Sequence, residues 1–111
     1  MRRRGGSGLI PLAALSAAVA VAAGAYGAHA AQGAAAEWLK TGAFYQLIHA
    51  VAVIALAGRA RGAGALLLAG ATLFAATLYA MAFGAPRWLG AVTPIGGAAM
   101  IAGWLWVAVR R

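Results

Sequence analysis

The chain has no cysteine, one acidic residue (Glu37), and only 9% charged residues. The first absence excludes disulfides, thiolate metal ligation and cysteine nucleophiles. The second removes the paired carboxylates of acid–base catalysis. No nucleophile, base and orienting group recur together either, so no enzyme activity is expected. The third excludes an ordinary soluble domain, which carries about 25% charged residues to cover its surface. What the chain has instead is apolar surface: 65% of its 111 residues are hydrophobic, and the mean hydropathy is +0.87. One small core cannot hide so much from water, so a bilayer is the expected solvent.

Four apolar runs, residues 9–31, 41–58, 63–84 and 89–109, predict an all-α fold, an integral membrane four-helix bundle forming one domain over 1–111. At 1.5 Å per residue, about 20 residues cross the roughly 30 Å hydrocarbon core. Pro11 falls in the first turn of the first run, where its missing N–H does no harm. Residues 31–40 read as a connection with a short interfacial helix carrying Trp38. Arg59, Arg61 and Gly62 form a tight basic turn, and residues 85–88 turn the chain again. A second reading of the first run is a secretory signal, with a basic start and the small-x-small site Ala28-His29-Ala30. The run is long for the 7–15-residue apolar region of such a signal.

The net charge is +8 and is clustered between the runs. Arg2, Arg3, Arg4, Arg59, Arg61, Arg110 and Arg111 fall on one side of the four-span topology; Lys40 and Arg87 fall on the other, with Glu37. Basic residues collect on the cytoplasmic side, so both termini are expected to be cytoplasmic. Short basic clusters between apolar runs are not the solvated basic face of a nucleic-acid binder, so no nucleic acid is expected. Trp38 and Trp88 then read as anchors at the outer interface, and Trp104 and Trp106 at the inner one.

Roughly a third of the chain is alanine, and there are 16 glycines. In lipid the helices gain little from hydrophobicity, so small residues and close approach supply the packing. Gly90 with Gly97, Gly96 with Gly103, and Gly24 with Gly27 mark smooth helix faces.

The polar side chains within the runs collect toward one leaflet. Tyr26 and His29 end the first run; Thr41, Tyr45, Gln46 and His49 occupy the outer half of the second. Thr77 and Tyr79 end the third, and Thr93 and Pro94 open the fourth. The inner halves hold Ser16 and almost nothing else polar. Tyr45 and His49 are i,i+4, and Gln46 and His49 are i,i+3, so the three share a face. Pro94 within the fourth run is expected to free the Gly90 carbonyl and kink the helix. The candidate cluster is therefore Tyr26, His29, Thr41, Tyr45, Gln46, His49, Tyr79, Thr93 and Pro94. His29 and His49 differ in depth by too much to share a haem or metal, so no cofactor or metal is expected. Two readings stand. The groups either satisfy one another and pin the helices in register, or line a pocket open to the outside.

Four segments carry a family resemblance: GAYGAHA at 24–30, TGAFYQLIHA at 41–50, LFAATLYAMA at 73–82 and VTPIGGAAMIAGW at 92–104. The chain resembles the small four-span membrane proteins of domain of unknown function 423, which include bacterial YgdD-type inner membrane proteins and vertebrate transmembrane protein 256. The family pattern T-G-x-x-Y-Q-x-x-H falls on Thr41, Gly42, Tyr45, Gln46 and His49; T-P-[IL]-G-G falls on residues 93–97. Relatives often carry Ser-Gly where this chain has Ala75-Ala76. The resemblance implies a multi-pass protein of the bacterial cytoplasmic membrane with no established activity, and it weighs against cleavage of the first run. The expected function is non-enzymatic: an accessory or assembly component of a membrane complex, with the bilayer and a membrane-protein partner or homo-oligomer as its company. The alternative is a small-ligand binder for lipid, quinone or a proton pathway, or a small transporter, using the outer polar cluster.

Overall fold

Local chemistry sets where each helix stops. A computed structural model describes residues 8–110 as α1 (Leu9–His29), α2 (Gly33–Leu56), α3 (Arg61–Ala82), a short 3-10 helix (Arg87–Ala91) and α4 (Thr93–Val109). No strand occurs among the described residues. Arg2, Arg3, Arg4 and Arg111, on which the charge asymmetry partly rests, lie outside them. α3 ends in a Schellman motif: Ala85 N–H donates to the Ala80 carbonyl at 2.9 Å and Gly84 N–H to Met81 at 3.1 Å. Gly84 sits at φ +107°, which a side chain would resist, and Pro86 then prevents continuation.

Two boundaries differ from the sequence expectation. The supposed connection 31–40 is mostly helix, because α2 begins at Gly33 and only Ala31 and Gln32 lie outside regular structure. Residues 34–40 are good helix formers, and nothing there breaks a helix that the bilayer favours anyway. The second difference concerns Pro94. It occupies the first turn of α4, where its missing N–H breaks no helical bond, and the residues before it form the separate 3-10 helix. The mid-helix kink expected at Gly90 is therefore replaced by a helix start.

α1, α2, α3 and the segment Arg87–Val109 are each long and apolar enough to cross a membrane. Their apolar side chains face outward: Leu12, Leu15, Val21, Phe44, Ile101 and Leu105 are all exposed, whereas Gln46, His49 and Thr77 are buried. That inside-out pattern suits a hydrocarbon solvent, in which polar groups retreat to the interior. The helices run up and down. Arg110 at the end of α4 donates to the Arg59 carbonyl in the α2–α3 turn. At the opposite end Arg87 stacks on Trp38, 5.4 Å from the ring centre. The pair Glu37–Lys40, 3.3 Å apart, is solvent-exposed within one helix and contributes little.

Each helix packs on its neighbours in sequence. α2 and α3 form the centre, α1 and α4 flank them, and the molecule is a slab of 44 × 28 × 18 Å. Among the described residues no Cα of α4 comes within 8 Å of one in α1 or α2, so the bundle is open along its α2–α4 side. Near the arginine end Ala13, Ala50, Val53 and Leu67 form a fully buried apolar core.

Glycines permit the contacts. On α1, a Cβ on Gly24 would stand 3.2 Å from Ala43 Cβ, and one on Gly27 would stand 2.9 Å from Leu39 Cβ. On α4 the Gly96–Gly103 row does this work: a Cβ on Gly96 would stand 2.6 Å from the Gly70 carbonyl oxygen and the Phe74 nitrogen. The Gly90–Gly97 row does not, since Gly90 lies in the 3-10 helix and Gly97 faces open space. Gly96→Ala must therefore push α4 off α3, at a cost of about 1–3 kcal/mol. Gly97→Ala, one residue on, should leave stability unchanged or slightly raised. Thermal unfolding in detergent compares them, and equal effects would contradict this packing.

Candidate functional site

The buried polar groups resolve into three small sets rather than one cluster. The first is centred on Gln46, which is 6% exposed. Its amide nitrogen donates to Ser16 Oγ on α1 at 3.0 Å, and its amide oxygen accepts from the Tyr79 hydroxyl on α3 at 2.5 Å. One side chain thus ties three helices together. Gly42 makes this reach feasible, because a Cβ there would stand 2.7 Å from Tyr79 Cε1. The Tyr79 ring lies over Gly42, one turn from Gln46, and its hydroxyl meets the amide.

The second set joins α3 to the start of α4. Thr77 and Thr93 hydroxyls are 2.6 Å apart; Thr77 also reaches the Phe74 carbonyl at 2.9 Å and Thr93 the Leu89 carbonyl at 3.2 Å. Two hydroxyl protons serve these three contacts, so one of the three lacks a proton at any moment.

The third set is His49 and Trp104. His49 Nδ1 lies 2.7 Å from the Tyr45 carbonyl, and Trp104 Nε1 lies 3.0 Å from His49 Nε2. Indole N–H can only donate and a carbonyl can only accept. His49 is therefore a neutral imidazole with its proton on Nδ1, and both ring nitrogens are engaged. This is the hydrogen bond that crosses the open side from α2 to α4.

Beside it lies a cleft of about 330 Å³. Tyr45 and His49 of α2 form one wall; Gly97, Met100, Ile101 and Trp104 of α4 form the other; Phe74 of α3 closes the back. The Tyr45 ring packs edge-on against Phe74, with centroids 4.9 Å apart. The lining is mainly apolar, and the arrangement suits holding an apolar group more than any bond-making chemistry.

Of the residues expected in the cluster, Gln46, His49, Tyr79 and Thr93 are joined in these networks. Tyr45 contributes a carbonyl and a cleft wall, and Pro94 starts α4. Tyr26, His29 and Thr41 are not brought in. All three are exposed, and Tyr26 stacks on Phe83 at 5.7 Å instead. His29 ends α1, far along the helix from Ser16. No three His, Asp or Glu side chains converge among the described residues.

Three partners escaped the candidate cluster. Thr77 lies at the outer end of the third run, beside Tyr79, outside the candidate cluster. Ser16 is the one polar side chain in the inner half of the first run, a signal that it needs a partner. Trp104 was assigned to the interface as an anchor; it is 42% exposed, yet its N–H points inward to His49. Nothing in a tryptophan's position along an apolar run tells which way its indole nitrogen turns. Nitrogen NMR of the histidine ring should find the Nδ1-protonated neutral tautomer, with the Nε2 resonance moving in Trp104→Phe. An Nε2-protonated ring, or a resonance indifferent to Trp104, would contradict the arrangement.

Comparison with known proteins agrees with this architecture. Residues 23–97 match the family described as protein of unknown function (DUF423). The chain is 38% identical to a UPF0382 membrane protein of Haemophilus influenzae over 81 residues, 67% of this chain and 65% of that protein. It is 35% identical to the UPF0382 membrane protein YwdK of Bacillus subtilis over 78 residues, 62% and 63% of the two chains. The UPF0382 inner membrane protein YgdD of Escherichia coli strain K12 is 34% identical over 75 residues, 60% of this chain and 57% of its own. Each match thus spans less than two thirds of the relative's length. No solved structure matches the chain. With its motifs, its four apolar helices and this match over most of its length, the chain belongs to the DUF423 family of membrane proteins of unknown function.

Proposed function

We propose that this protein is a non-enzymatic component of the bacterial cytoplasmic (inner) membrane, acting as an accessory or assembly subunit through helix packing with another membrane protein. The observation that carries this reading is the two-sided character of α1. Its inner face packs through Ala13, Ala20 and Gly27, which are buried. A second row of small residues, Ala14, Ala18, Ala22 and Ala25, recurs at spacings of four and three and faces outward. Small residues let helix backbones approach closely in lipid, and one such row on α1 is already used that way within the chain.

Other features agree with a packing role. The buried polar side chains bond one another, so they read as internal pins more than as reactive groups. The family relative YgdD is named an inner membrane protein. The excess of arginine at one end supports a cytoplasmic position for that end, and with it for both termini.

The second reading, a small-ligand binder, is favoured by the cleft at Tyr45, His49, Phe74 and Trp104. The Gln46–Tyr79 pair does not serve it, since their polar atoms are spent on each other and on Ser16.

Purification from the native membrane in a mild detergent should yield the protein in a stoichiometric complex. Ala18→Phe, at an exposed position, should abolish that complex without lowering the unfolding temperature. A lone monomer, or a complex indifferent to Ala18→Phe, would contradict the accessory reading.

A further inference from the structure

The open side of the bundle has an apolar half and a charged end. The apolar half is the cleft between α2 and α4, about 330 Å³, with Phe74 at the back and Met100 and Ile101 on the α4 wall. It is accessible, since a Cβ on Gly97 would meet nothing within 4 Å. Its main polar ring, His49, has both nitrogens engaged, so the space offers more to hydrocarbon than to a head group.

From Ile101 the α4 wall runs toward the arginine end, and nine residues of helix rise roughly 13 Å to Arg110. There Arg110 crosses to the Arg59 carbonyl and so joins the end of α4 to the turn that follows α2. These are the two helices whose facing sides form the cleft. Arg59, Arg61 and Arg110 are exposed at this end. The chain has a single acidic side chain, Glu37, and it sits at the opposite end beside Lys40. The three guanidiniums thus have no carboxylate side chain to neutralise them. Three exposed guanidiniums at a membrane–water boundary, with an apolar cleft on the same side, suit an anion that is attached to a hydrocarbon chain.

We propose that this side of the protein binds one anionic phospholipid, with an acyl chain in the α2–α4 cleft and the phosphate on Arg59, Arg61 and Arg110. Guanidinium groups pair with phosphate through fixed, forked donors, and clusters of basic residues at a membrane surface favour anionic lipid. The inference rests on the cleft being a ligand site and does not depend on the accessory role.

Native mass spectrometry of the full chain in a mild detergent tests it. Phosphatidylglycerol, phosphatidylcholine with the same acyl chains, and inorganic phosphate are titrated separately. A single phosphatidylglycerol should be retained at least about tenfold more tightly than phosphatidylcholine. Arg59→Gln should lower that preference about fivefold, the contribution of one basic residue near an anionic surface. Gly97→Leu should remove the bound lipid by filling the cleft, with the unfolding temperature unchanged. If that variant unfolds, Ile101→Trp, at an exposed cleft position, supplies the same test. Equal retention of the two lipids, or lipid retained undiminished when the cleft is filled, would overturn the proposal. Competition by inorganic phosphate alone would overturn it in favour of a free-anion site, and a protein partner occupying the cleft would overturn it too. Co-purifying protein subunits appear as separate masses, so failure of the accessory reading is distinguishable from failure of this one.

Discussion

A primary amide in the middle of a membrane-spanning helix holds the architecture together. Gln46 cannot face hydrocarbon without losing its hydrogen bonds, and a buried amide left unpaired is costly. Its two ends are met from two different helices, Ser16 on α1 and Tyr79 on α3. The rotation of α1 and α3 about α2 is therefore specified by chemistry, where apolar contacts alone would tolerate many rotations. Glycine then sets the distances. Gly42 admits the Tyr79 ring, Gly27 admits Leu39, and Gly96 brings α4 onto the Gly70 backbone. Each is a place where a methyl group would separate two helices that the polar bonds require to touch.

α4 stands apart from this scheme. It is held to α3 by close glycine contact and the Thr77–Thr93 pair, and to α2 by the Trp104–His49 bond across an otherwise open side. That openness gives the molecule its cleft. A closed four-cornered bundle would have filled the space with side chains; a slab with its helices in sequence order leaves it to the surrounding lipid or to a partner. The arginines at one end and the apolar cleft beside them make the open side the most chemically distinctive surface of the protein.

How much of this was legible in the sequence follows from what each signal encodes. Span number reads directly from the length of apolar runs, because the bilayer fixes the length a helix needs. The depth of Gln46, His49, Tyr79 and Thr93 follows by counting along each helix, and those four residues do enter the networks. The facing of each helix is harder to read. A span that is apolar all round has no polar stripe to mark its inner face, so periodicity cannot show which way Trp104 turns or that Ser16 meets Gln46. Tyr26, His29 and Thr41 belong to the same leaflet as the others, but the leaflet is one coordinate, and their direction is outward. The boundary errors have the same origin. Residues 31–40 carry Glu37 and Lys40 between two apolar runs and read as a connection with a short helix at Trp38, whereas that helix is continuous with α2 from Gly33. Pro94 reads as a break inside a helix because the apolar run continues without interruption from Trp88 through the 3-10 segment into α4.

If the Gln46 amide sets the rotation of three helices, its bond to Tyr79 must carry energy that neither residue holds alone. The direct measurement is a double-mutant cycle of Gln46→Met and Tyr79→Phe, read as unfolding free energy in bicelles. The account predicts a coupling of about 0.6–1.7 kcal/mol, the range of interhelical hydrogen bonds in membranes, with the double variant losing less than the sum of the singles. Strict additivity would show that the two side chains do not act together, and would contradict it.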